Sequence, residues 1–60
     1  MDKKNRFYKV YNNLPLKLRD EAVVVINNDA ISWRLAKLYI EEGTKLGEDI
    51  LEKLDRMKII

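Results

Sequence analysis

The chain has 60 residues and a net charge of +2, and it contains neither histidine nor cysteine. Those absences remove the usual general base at neutral pH, the usual soft nucleophile, disulfides and almost every transition-metal site. At 47% apolar the composition is globular, but so short a chain buries only about 60% of its unfolded surface; residues 1–60 read as one small domain that folds as a dimer or with a partner chain.

The first segment runs from Asp2 to Leu14. Phe7, Val10, Tyr11 and Leu14 recur at i, i+3, i+4 and i+7, one face of a helix. Asn12, Asn13 and Pro15 mark its end, because a proline pushes the residue before it out of the helical region.

Residues 15–31 are ambiguous. Leu14, Leu18, Ala22 and Val25 keep helical spacing, but Val23, Val24, Val25 and Ile26 are four consecutive β-branched residues, which favour a strand. Asn27-Asn28-Asp29 then reads as a tight turn, since these side chains tolerate left-handed backbone. We expect a helical turn near residues 15–20, a strand over 22–26, and a short return strand at Ala30 and Ile31. One continuous helix is the alternative.

Ser32 is a good N-cap for a third segment ending at Glu42. Its polar stripe is narrow: Arg34, Lys37 and Glu41 interrupt Trp33, Leu35, Ala36, Leu38, Tyr39 and Ile40. A helix apolar around most of its circumference is buried around most of it, which here requires nearly all the other segments or a second chain. Gly43 then ends the helix and Thr44 caps the next. Leu46, Ile50, Leu54 and Met57 make the stripe of a C-terminal helix, and Gly47 is a close-packing position beside it. The fold class is therefore α+β, mostly helical. It comprises an N-terminal helix, a short strand or β-hairpin around 22–31, and a C-terminal helix-turn-helix hairpin; an all-α helical bundle is the alternative.

Little here can carry chemistry. Glu48, Glu52 and Asp55 share the wet flank of the last helix, and nothing in the pattern buries them to raise a pKa for acid–base work. Asn27-Asn28-Asp29 begins like a calcium loop, but Ser32 and Leu38 stand where the EF-hand needs glycine and glutamate. Gly43 to Gly47 lacks the Gly-Lys-Ser/Thr of a P-loop. No catalytic, cofactor or metal residue is assigned, and the chain reads as no enzyme. Its longest apolar run, Ala22 to Ile26, is far too short to span a membrane; the expected location is cytoplasmic.

Charge is uneven along the chain. Residues 1–19 hold six basic groups against one acid, a net +5, and residues 20–60 hold a net −3. The basic front includes Lys3, Lys4, Arg6 and Lys9, the candidate nucleic-acid contacts, since cations can meet phosphates and nearby rings can stack on bases. The order of strand Ala22–Ile26, helix Ser32–Glu42 and helix Thr44–Lys58 resembles, in layout, the ribbon-helix-helix DNA-binding proteins. That resemblance covers about two-thirds of the chain and implies a dimer that pairs one strand from each subunit and reads bases with outward strand residues. Here those residues are valines and alanine, poor readers of base edges.

The expected function is a small non-enzymatic protein-interaction module that self-associates, a dimer being favoured, or docks on a protein partner. The interface candidates are Trp33, Leu35, Leu38, Tyr39, Ile40, Leu46, Ile50 and Leu54. A small DNA- or RNA-binding regulator of the ribbon-helix-helix or antitoxin kind, working through the basic front, is the alternative.

Overall fold

A computed structural model describes residues 2–60. Helix α1 covers Lys3–Asn12, where the Asp2 side chain accepts the Asn5 N–H at 2.8 Å and so supplies the missing partner of the first turn. At the other end the Asn13 side chain donates to the Lys9 carbonyl at 2.8 Å. Phe7 and Tyr11 are the two α1 residues that reach the core. After Pro15 the chain makes a single 3-10 turn, Leu16–Asp20, too short to hide Leu16 or Leu18.

The β-branched run wins over helical spacing. Ala22–Ile26 forms strand β1 and Asp29–Ser32 forms β2, paired antiparallel as one two-stranded ribbon. The all-α bundle and the continuous helix are thereby excluded. Asn27 and Asn28 have φ of 52° and 70°. Two successive left-handed residues are what a two-residue hairpin turn needs to match the strands' twist, and asparagine tolerates that backbone better than most residues. Pairing of Val24 with Ile31 puts two buried side chains opposite each other, whereas Val25 pairs with Ala30 on the wet face. Between Ala22 and Val24 the register slips, so Val23 is the extra residue of a bulge. The ribbon lies within one chain, unlike the strand exchange between subunits implied by the ribbon-helix-helix layout.

Helix α2 covers Trp33–Glu41 and helix α3 covers Lys45–Arg56. The expected caps are in place: Ser32 Oγ accepts the Leu35 N–H at 3.1 Å and Thr44 Oγ1 accepts the Gly47 N–H at 3.0 Å. Gly43 adopts φ of 68°, and the N–H groups of Gly43 and Thr44 return to the carbonyls of Ile40 and Tyr39. This paired closure ends α2 and turns the chain into α3. A similar closure ends α3, where Lys58 and Ile59 donate to Asp55 and Leu54 and Lys58 carries φ of 61° without being glycine. Gly47 lets the helices meet: a Cβ there would stand 2.5 Å from the Tyr39 carbonyl oxygen and 2.9 Å from the Ile40 Cα.

Every helix and strand contributes to one core of Phe7, Tyr11, Val24, Ile31, Trp33, Ala36, Ile40, Ile50 and Leu54. Its aromatic centre is Phe7, whose ring lies 5.8 Å from Trp33 and 5.9 Å from Tyr11 between centroids, within the range of favourable ring contacts.

Candidate interaction surface on helix α2

The inward stripe of α2 is Trp33, Ala36 and Ile40, all buried. At 3.6 residues per turn the opposite side is centred on Leu38, with Arg34 one turn before it and Glu41 and Glu42 one turn after. Leu38 is 49% exposed in the middle of this helix. Leu35 and Tyr39 flank it, half-buried and packed on the edge of the core. The chain thus covers one side of α2 by itself and leaves the other side uncovered around a single leucine.

An open groove of about 580 Å³ runs along this face, lined by Tyr11, Ser32, Arg34, Leu35, Lys37, Leu38 and Glu41. Its charged rim is held by two ion pairs. Arg34 Nε donates to Asp20 Oδ1 at 2.7 Å, tying α2 to the 3-10 turn, and Lys37 Nζ lies 3.2 Å from Glu41 Oε1. The Asp20 carboxylate, first by hydrogen bonding and then by its charge, holds the Arg34 guanidinium above its already high pKa. Both pairs lie at the surface, where water and salt screen them, so they orient side chains more than they stabilise the fold. Beneath the rim, Tyr11 receives two cations. Arg19 Cζ is 4.6 Å and Lys37 Nζ 5.5 Å from its ring centroid, within cation–π reach. Tyr8 sits at the same end: burial pushes its phenol pKa up, the Glu41 charge adds to the rise and Lys37 opposes it.

The eight residues expected at an interface have different fates. Trp33, Ile40, Ile50 and Leu54 are enclosed by this chain's own elements and cannot meet a partner without opening the fold. Leu35, Tyr39 and Leu46 are half-buried, and only Leu38 is exposed. Five other large exposed apolar residues lay outside the expected set: Leu16, Leu18, Val25, Met57 and Ile59. For Val25 the signal was present, since a strand alternates faces and a buried Val24 turns its neighbour outward.

The basic front is folded against the acidic rear. Arg6 Nη2 pairs with Asp55 Oδ1 at 2.8 Å. Lys3 shares a surface groove with Glu48, Asp49 and Glu52 of α3. Of the four candidate nucleic-acid contacts, Lys4 and Lys9 remain exposed, and neither forms an ion pair among the described residues.

Among the described residues no group of three or more Asp or Glu converges as a metal site, and no helix is long and apolar enough to cross a membrane. Comparison with known proteins finds no matching family model, curated protein or solved structure.

Proposed function

We propose that this protein is a non-enzymatic interaction module that self-associates through the outward face of α2. The observation that carries the proposal is Leu38, half-exposed at the centre of a capped helix whose opposite side is locked into the core. A large apolar side chain on a helix face rimmed by charge, with half-buried Leu35 beside it, forms a small anchor with a polar rim, the anatomy of a docking surface. Helix α2 has nine residues, about 13 Å of length at 1.5 Å per residue. The patch is therefore smaller than the roughly 800 Å² per partner of a standard interface, and association belongs to the weak, reversible class.

Sedimentation at protein concentrations up to about 1 mM, where even an interaction of roughly −4 kcal/mol is populated, tests the proposal. The wild type is expected to form dimers and Leu38→Asp to remain monomeric with unchanged helix content. A wild type that stays monomeric throughout, or a Leu38→Asp variant that still dimerises, refutes it.

The exposure of Lys4 and Lys9 supports a second reading, binding of nucleic acid through α1. Its signature is duplex binding that weakens steeply with salt and is lost in Lys4→Glu/Lys9→Glu. It is the weaker reading because Arg6 is already engaged by Asp55.

A further inference from the structure

The outward face of α2 also specifies how a second copy would lie on it. Along the helix it carries a cation, a leucine and then carboxylates: Arg34, Leu38, Glu41 and Glu42. Arg34 and Glu42 stand four residues to either side of Leu38, about one helical turn each way. In a closed twofold dimer, whatever residue i meets on its partner, the partner's residue i meets in return. We infer that two copies pack α2 against α2 in antiparallel orientation, with the twofold axis at Leu38 and Arg34 of each chain facing Glu42 of the partner subunit. This rests on the self-association proposed above and specifies its geometry.

The charges select the direction. In a parallel pair Arg34 would face the partner's Arg34 and Glu42 the partner's Glu42, two repulsive contacts. The antiparallel pair converts both into attractive ones and also opposes the two helix dipoles. The groups are free to act in this way. Arg34 gives its Nε to Asp20, and a guanidinium has five N–H donors in all, so its terminal nitrogens remain for a second carboxylate. The Arg34 and Asp20 side chains are 55% and 70% exposed, so an arriving partner finds this bridge at the surface. Glu42 is exposed and forms no ion pair among the described residues. Leu35 lies beside Leu38 on the same face, extending the apolar contact.

Charge reversal tests the register. Sedimentation of Arg34→Glu and of Glu42→Arg, each alone, should show dimerisation at least tenfold weaker than wild type. An equimolar mixture of the two variants should recover a dimer, because each contact then joins opposite charges again. The double variant Arg34→Glu/Glu42→Arg should dimerise as wild type does. Asp20→Asn, which removes only the internal bridge, should leave dimerisation unchanged, and circular dichroism should show every variant folded. If Leu38→Asp abolishes the dimer but the mixture recovers nothing, the antiparallel register is wrong while the α2 surface stands. A loss in Asp20→Asn equal to that in Arg34→Glu also overturns the register. A monomeric wild type removes the proposed function and this geometry with it.

Discussion

Gly47→Ala tests the junction that presents the α2 surface. In an exposed helix interior the exchange would stabilise by about 0.8–1.0 kcal/mol, through alanine's better helix propensity. Gly47 is buried, however, and its new Cβ would lie 2.5 Å from the Tyr39 carbonyl oxygen, where 3.4 Å begins ordinary contact. The neighbours at 2.5, 2.8 and 2.9 Å are all backbone atoms of α2, so no side chain can turn aside, and α3 must move away as a body. Overpacking of this kind costs about 1–3 kcal/mol. It also loosens the contact in which Thr44 Oγ1 donates to the Tyr39 carbonyl at 3.0 Å. The net expectation is a loss of about 1–2 kcal/mol from a domain that holds roughly 3–5. With a urea dependence near 1 kcal/mol per molar for so small a protein, the midpoint should fall by roughly 1–2 M. Urea unfolding followed by Trp33 fluorescence and by circular dichroism measures it. Gly43→Ala is the companion: there the space is open but φ is 68°, and a loss of about 1 kcal/mol is expected from left-handed strain alone. A Gly47→Ala midpoint equal to or above wild type would show that α2 and α3 do not meet as closely as described.

Lys58→Gly should raise stability by about 1 kcal/mol, because lysine holds a left-handed φ at the end of α3 that glycine adopts without strain; an unchanged urea midpoint contradicts that backbone. Tyr8 should titrate above an ordinary phenol, chiefly because burial disfavours its charged form. The folded protein then holds the phenol proton after the unfolded chain has lost it. Stability is therefore intact below the ordinary phenol pKa and declines as pH rises through the folded value. Glu41→Gln should lower the Tyr8 pKa and Lys37→Met should raise it. Tyrosine-labelled NMR titration reads both, and shifts of opposite sign would refute the placement of Tyr8.

Much of the fold was legible because local chemistry and burial agreed. Four β-branched residues followed by an asparagine pair gave a ribbon, Ser32 and Thr44 gave caps, and Gly43 and Gly47 gave a stop and a close approach. Each is a decision taken within a few residues. The bulge at Val23 was not legible, since it depends on a one-residue slip between strands rather than on residue type. Nor was the left-handed Lys58, where the hydrogen bonds that close α3 override the residue's own preference. The α2 surface was half legible: its apolar excess was plain, but Trp33 and Leu38 look alike in composition. Their separation into core and surface is set by how α1, the ribbon and α3 dock on one side of the helix. The pairing of Arg6 with Asp55 joins opposite ends of the chain, so charge that looked available for a polyanion is partly neutralised at home.

The ribbon has a further consequence through Lys53, whose Nζ donates to the Val25 carbonyl at 2.7 Å. Ala22–Ile26 is a short, uncharged, β-branched segment of the sort that templates fibrils when its flank lies open. By occupying an oxygen that an added strand would need, Lys53 acts as a gatekeeper against stacking on that flank. Anything that lifts α3 away, including Gly47→Ala, would expose the peptide most prone to aggregate as it loosens the fold.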